Sequence, residues 1–298
     1  MSEQGSVIAL GMFDGMHMGH RALLKSTVSL AAKLRCRSLV YTFRNHPRSV
    51  LSVAPPLLMT PRERCDAMLS LGIDRVVMKE FDRSFAKRDP REFLEEIAKE
   101  YHVRGLVAGY NYTFGHLGSG HGGLMKEFAE ENGILCEIIE PVRFGGRPIS
   151  SSRIRTYIQS GKMEQANAML AAPYKLCGHV KEHLHIGATI GFPTANLDVD
   201  PSKLLPREGV YATRVNLPGG VYDSVTSVGA NPTVEGSETT VETYMVGFDG
   251  DLYGKSIQVE FHRLLRDMIR FDSVEELKDR IAGDVNAAKR YFSRPARD

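Results

Sequence analysis

In the first half of the chain, short continuous apolar runs alternate with longer segments whose apolar positions recur at helical spacing. The runs "SVIALGMF", "RSLVYTF", "DRVVMKEF", "RGLVAG" and "ILCEIIEP" predict buried strands. Between them, "GHRALLKSTVSLAAKLR", "TPRERCDAMLSLG", "DPREFLEEIAKEY" and "LMKEFAEEN" predict helices. The second of these is sharply marked: Thr60 caps it, Pro61 occupies the first turn, Glu63 completes a capping box and Gly72 stops it. Asp89, Pro90 and Glu92 repeat the same start signal. Strands alternating with helices in this way predict a parallel sheet covered by helices on both faces.

The rhythm changes near Pro173, where the helix "KMEQANAMLAA" ends. Beyond it the chain reads as short strands and tight turns. "GVYATRVNL" and "VYDSVTSVG" flank Pro218-Gly219-Gly220, a hairpin signal, and "TVETYMVGF" and "LYGKSIQVEF" flank Asp249-Gly250-Asp251, read as another. One helix closes the chain, "SVEELKDRIAGDVNAAKRYF", with Ser273 and Glu276 read as a capping box. The pattern predicts two domains, 1–172 and 173–298, the second a small antiparallel barrel with a C-terminal helix.

Composition narrows the function classes. The chain has 298 residues, 42% hydrophobic and 25% charged, ordinary values for a globular protein of two domains. A net charge of +2 gives no field that would draw it to nucleic acid or to an anionic membrane. Cys36, Cys65, Cys136 and Cys177 are scattered, which fits a reducing cytoplasm better than a disulfide framework. "MSEQGSV" lacks the features of a signal peptide, and no apolar run approaches the roughly 18 residues that span a bilayer.

The chemistry gathers first in "GMFDGMHMGH", residues 11–20. A strand breaks at Gly11, and His17 and His20 stand three residues apart at the start of a helix, on one face. A helix start presents unpaired N–H groups and the positive end of a dipole, so it attracts phosphate. Two imidazoles beside it can donate hydrogen bonds to a phosphate whose charge grows in the transition state. Gly11, Gly15 and Gly19 are expected to let the backbone approach the ligand. Gly118, Gly120 and Gly123 spell GxGxxG, but the preceding strand ends at Gly109 and "YNYTFGHL" intervenes, so they are not read as a dinucleotide turn. The chain carries no GxxxxGK[ST].

"GMFDGMHMGH" resembles the GxFDGxHxGH signature of nucleotidylyltransferases, and nearly the whole chain resembles the bacterial bifunctional riboflavin kinase/FMN adenylyltransferases. The resemblance implies a Rossmann-like, doubly wound nucleotidylyltransferase sheet in the first domain. It also implies adenylylation of FMN by ATP there, with release of pyrophosphate and His17 and His20 as catalytic residues. "YTFRNHP" places His46 after the second strand, as a flavin-side residue, and "GYNYTFGHLGSG" places Asn111 toward the nucleotide. "ISSSRIR" resembles the family's ISSTxIR motif, with Ser151 and Ser152 as helix-start groups and Arg155 as the motif arginine. Gly11, Phe13 and Gly19 complete the nucleotide-binding set that the resemblance implies.

In the second half, "GFPTANL" matches the PTAN motif of riboflavin kinases, so Thr194 and Asn196 are the implied Mg²⁺ and ATP ligands. A hydroxyl and an amide oxygen suit a hard cation shared with nucleotide phosphates. Gly187 and Gly191 belong to the implied phosphate loop, Glu242 is the implied general base toward the ribityl 5′-hydroxyl of riboflavin, and Arg266 lies in a flavin-side segment. His179, His183 and His185 fit no zinc pattern. Three positions depart from the family: His183 at a usual glycine, Ala188 at a usual basic residue and Met268 where an acid is common. They make the kinase the expected weaker half. The implied substrates are riboflavin, FMN and ATP, with Mg²⁺ as cofactor and FMN and FAD as products. An adenylyltransferase with an inactive barrel, and a non-catalytic flavin-binding regulator, remain as alternatives. Nothing in the sequence reads as a subunit interface, so oligomeric state is left open.

Overall fold

A computed structural model describes residues 5–181, 191–233 and 236–293, with backbone only at 230–233 and 236–238. The chain divides into two compact units, Met1–Ser151 and Ser152–Asp298. This places the helices α6 (Ser151–Gln159) and α7 (Met163–Leu170) mainly with the second unit, whereas the sequence reading kept them with the first.

The first unit is a five-stranded parallel sheet in the order β3-β2-β1-β4-β5. Its strands are β1 (Ser6–Leu10), β2 (Arg37–Phe43), β3 (Arg75–Lys79), β4 (Val103–Gly109) and β5 (Leu135–Ile139). All five residues of β1 are buried, as expected for a central parallel strand whose two faces are both covered. One face packs into a core around Leu24, Met68 and Val40, the other into a core around Phe93, Leu94 and Phe128. The helices are α1 (Met18–Leu34), the short α2 (Arg48–Leu51), α3 (Pro61–Ser70), α4 (Pro90–Glu100) and α5 (Gly122–Glu131). The capping box forms as predicted: the Thr60 hydroxyl accepts from Glu63 N, and the Glu63 carboxylate accepts from Thr60 N at 2.7 Å. Strands β6 (Arg143–Phe144) and β7 (Arg147–Pro148) form a two-residue-a-side hairpin about Gly145 and Gly146 that the periodicity does not reveal.

The second unit is a closed barrel in the order β10-β11-β12-β9-β8-β13. Its strands are β8 (Tyr174–Lys181), β9 (Ala195–Val199), β10 (Gly209–Leu217), β11 (Gly220–Thr233), β12 (Gly236–Met245) and β13 (Ser256–Arg266). The hairpin at Pro218 forms, with Leu217 paired to Gly220. The one expected at Asp249–Asp251 does not: β12 pairs with β11 and β9, and β13 pairs with β10 and β8. The physical reason is closure. A barrel leaves no free edge, so β9 takes the edge of β12 and the glycine-rich connection after β12 carries the chain round to β13. Inside, Thr213, Ser224, Thr226 and Thr243 are fully buried and bond to one another at 2.7–2.8 Å, which satisfies their hydroxyls without water. Outside, Val285 and Ala288 of the C-terminal helix α8 (Val274–Phe292) pack on Val210, Ala212 and Val225. Ser273 caps this helix, but Glu276 reaches back to Asp272 N rather than to Ser273 N, so the box is not the reciprocal one expected.

Candidate active sites

In the first unit the sheet order reverses between β1 and β4, whose connections lead to opposite edges. Ligands of open α/β sheets bind outside the carboxyl ends of strands at such a point. A cavity of about 940 Å³ opens there, lined by Gly11, Phe13 and His20 after β1, by Gly109 at the end of β4 and by Asn111 beyond it. Its far wall is aromatic, from Phe43, Phe81, Phe85, Phe93, Tyr112 and Phe114. Sequence reasoning missed this wall, because its members come from five separate segments. The available signal was an aromatic residue at or just past the carboxyl end of β2 and β3, Phe43 and Phe81.

The two histidines meet closely. His17 is the N-cap of α1, and its Nδ1 accepts from His20 N at 3.3 Å. The rings stack, with centroids 3.6 Å apart and planes 16° from parallel. Because Nδ1 accepts, the neutral His17 ring carries its proton on Nε2, which is left to donate. Burial pushes the His17 pKa down to about 4. Burial, then the adjacent His17 and the Arg64 guanidinium, hold His20 well below its ordinary range. Both rings are therefore neutral donors at pH 7. His20 Nδ1 is buried with no hydrogen-bond partner among the described residues.

The glycines serve these rings as well as the backbone. A Cβ on Gly19 would stand 3.2 Å from the His17 ring, and one on Gly11 would stand 2.9 Å from the Phe13 ring. Phe13 is buried and meets His20 edge-on at 5.4 Å, so it supports the imidazole while lining the cavity. The loop is strained: Phe13 and Met16 have φ of 55° and 45°. Non-glycine residues in that region cost of order 1–3 kcal/mol each and persist only where the surroundings over-determine them. Here the buried Asp14 carboxylate accepts from Leu58 N and Met59 N at 3.0–3.1 Å, and the Ser151 hydroxyl donates to Asp14 O at 2.8 Å.

The remaining expected residues of the first half lie on several elements. His46 Nδ1 accepts from Arg48 N at 3.1 Å and so starts α2 beside Pro47, a cavity residue, without itself lining the cavity. Asn111 is exposed at the cavity. Ser152 is exposed and Arg155 buried on α6, both in the second compact unit.

In the barrel, register brings together Glu242 and Asn196, which the sequence motifs singled out separately. Glu242 on β12 pairs directly with Asn196 on β9, and Asn196 in turn with Lys181 on β8. Directly paired residues on neighbouring strands share a face. Val241, Thr243 and Met245 are buried while Glu242 is half-exposed, so this row lies on the outer face of the barrel. Thr194, exposed, stands two residues before Asn196. Asn196 is only 8% exposed, and its Nδ2 has no partner among the described residues. A buried amide without a partner costs free energy unless a ligand completes it. Gly191 has φ of 86°, a left-handed conformation that favours glycine, just before this segment. Arg266, expected on the flavin side, is committed elsewhere: it forms a two-pronged pair with Asp284 at 2.7–3.0 Å and ties α8 to β13. Gly187, His183, His185 and Ala188 lie outside the described residues.

Comparisons with known proteins match both halves of the chain. Residues 1–153 match the FAD synthetase family model, and residues 170–292 match the riboflavin kinase family model. The bifunctional riboflavin kinase/FMN adenylyltransferase of Bacillus subtilis is 33% identical over 296 residues, covering 97% of this chain and 93% of that protein. Its namesake in Escherichia coli K12 is 32% identical over 294 residues, covering 97% and 94%. A solved structure from Streptococcus pneumoniae, described as a macrolide-efflux protein, superposes with a TM-score of 0.89 at 31% identity, over 97% of this chain and 95% of that one. The stacked histidine pair at the switch point, the Glu242–Asn196 pair on the barrel and the two matched halves thus lead to one conclusion: the chain belongs to the bifunctional riboflavin kinase/FMN adenylyltransferase family.

Proposed function

We propose that the chain phosphorylates riboflavin to FMN in its barrel unit and adenylylates FMN to FAD in its parallel-sheet unit, using ATP in both. The observation that carries this reading is that each half of the chain matches its own family model, residues 1–153 that of FAD synthetase and residues 170–292 that of riboflavin kinase. Transport is not proposed, since among the described residues no helix is long and apolar enough to cross a membrane. A cytoplasmic setting suits four cysteines that are all thiols.

In the adenylyl step, a phosphate oxygen of FMN attacks the α-phosphorus of ATP, and pyrophosphate leaves. Positioning and charge stabilisation supply the catalysis. His17 donates from Nε2 and His20 from its own ring N–H to phosphate oxygens at the start of α1. Gly11 and Asn111 border the nucleotide, and the aromatic wall takes the flavin ring. The phosphate-holding role that the sequence motif implies for Ser152 and Arg155 is part of the same proposal.

In the kinase step, the Glu242 carboxylate takes the proton of the riboflavin 5′-hydroxyl as that oxygen attacks the γ-phosphorus of ATP, and ADP leaves. The Thr194 hydroxyl and the Asn196 amide are the groups that would hold Mg²⁺ and the phosphates, and Asn196 Nδ2, which has no partner among the described residues, fits a phosphate oxygen. When bound, Mg²⁺ neutralises charge on the phosphates. Incubation with labelled riboflavin and Mg-ATP tests the reading. FMN and FAD should both form. FAD from supplied FMN alone would leave only the adenylyltransferase, and binding without turnover would leave a flavin-binding protein.

A further inference from the structure

Among the described residues Arg64 is the largest fully buried side chain, and nothing in the mechanism above uses it. It projects from α3 to the carboxyl ends of two strands. Nη1 donates to Met12 O at 2.7 Å and Nη2 to Phe43 O and Arg44 O, both at 2.9 Å. Its remaining hydrogen bond reaches the Met12 sulfur at 3.6 Å. Among the described residues no carboxylate bonds to it, and Asp14 acts on it through space. A buried cation bonded to carbonyls keeps its field, and here that field lies at the strand ends where a polyanion would enter.

The carbonyl that Arg64 holds is significant. Met12 follows Gly11 directly and precedes the left-handed Phe13 and Met16, after which His17 starts α1. The loop has two independent anchors in α3 and the segment before it: Arg64 on Met12, and Leu58 and Met59 on Asp14. A guanidinium reaches carbonyls of two strands at once because its donors form a rigid planar fork, which an ammonium cannot do.

Taking the adenylyltransferase reading as given, we infer that Arg64 is a positioning residue for adenylyl transfer. It clamps the Met12 loop to the end of β2, so that His17 and His20 stand in place before substrate arrives.

The test compares wild type, Arg64→Met and Arg64→Lys in the full chain. FAD formation from FMN and FMN formation from riboflavin are measured separately, with near-UV circular dichroism as a folding check. A displacement of about 1 Å at reacting groups can cost about 100-fold in rate. For Arg64→Met the kcat of FAD formation should fall about 100-fold, with KM for FMN and ATP within threefold and the kinase unchanged. Arg64→Lys keeps the charge but not the fork and should lose about tenfold. Ring resonances of His20, held low first by burial and then by the adjacent His17 and Arg64, give a second readout: its titration should move toward higher pH in Arg64→Met and stay low in Arg64→Lys. A purely structural pin would not produce that ordering. A folded Arg64→Met with kcat within threefold of wild type, or a loss carried by KM alone, overturns the inference. If Arg64→Met does not fold, wild-type kcat in Arg64→Lys overturns it. Absence of FAD formation by the wild type would instead overturn the underlying function.

Discussion

Replacing His17 separates two jobs that the structure gives one side chain. Its Nδ1 caps α1 by accepting from His20 N, and its Nε2–H is left for phosphate. His17→Ala removes both. Loss of an N-cap acceptor costs about 0.5–2 kcal/mol, and the 3.3 Å separation puts this one at the low end, about 0.5–1 kcal/mol. In a unit of this size that lowers the melting temperature by about 2–4 °C per kcal/mol. Loss of one positioned donor to a developing charge costs about 100-fold to 1000-fold in rate. His17→Asn keeps a good cap acceptor but no imidazole. It should therefore melt within about 2 °C of wild type and still lose about 100-fold in FAD formation. Discontinuous assays of FAD from FMN and of FMN from riboflavin, with thermal melts of each variant, measure all of this. FMN formation should be unchanged in both variants. FAD formation above a tenth of wild type in His17→Asn would refute the catalytic role, and a rate loss seen only in the destabilised His17→Ala would reduce His17 to a cap.

Glu242→Gln keeps the shape beside Asn196 but cannot accept a proton, so FMN formation should fall about 100-fold or more while adenylylation of supplied FMN persists; equal loss of both activities would point to misfolding. Ala188→Arg adds a charge to the loop implied to cover phosphate and should lower the kinase KM for ATP, since a hydrogen bond to a charged group contributes about 1.5–3 kcal/mol; an unchanged or raised KM would show that the departure at this position does not weaken the kinase. The pH dependence follows from His17, whose folded pKa of about 4 lies below its ordinary 6.5. The unfolded chain takes up the proton first, so stability present above pH 6.5 should be lost as pH falls toward 4, by up to about 3 kcal/mol, and no further below. Over pH 6–8 the free-enzyme kcat/KM for FAD formation should show no titration of this histidine; a break near pH 6.5 would mean that the ring is not held neutral by burial.

Local chemistry carries most of what the sequence determined. The alternation of apolar runs and helical segments, the Thr60–Glu63 box and the Pro218 hairpin are short-range, and each appears where its residues dictate. The histidine pair was legible for the same reason, since a helix start fixes the relation of positions three apart. Longer-range matters needed the tertiary structure. Closure of the barrel sent β13 to β8 and β10 rather than to β12, a choice no turn sequence encodes. Register alone set Glu242 opposite Asn196, 46 positions apart in a numbering that gives no hint of it. The aromatic wall, the commitment of Arg266 to Asp284 and the reach of Arg64 to two strand ends likewise depend on which distant segments pack together. Such pairings are decided by burial and hydrogen-bond satisfaction over the whole fold, and periodicity along the chain cannot report them.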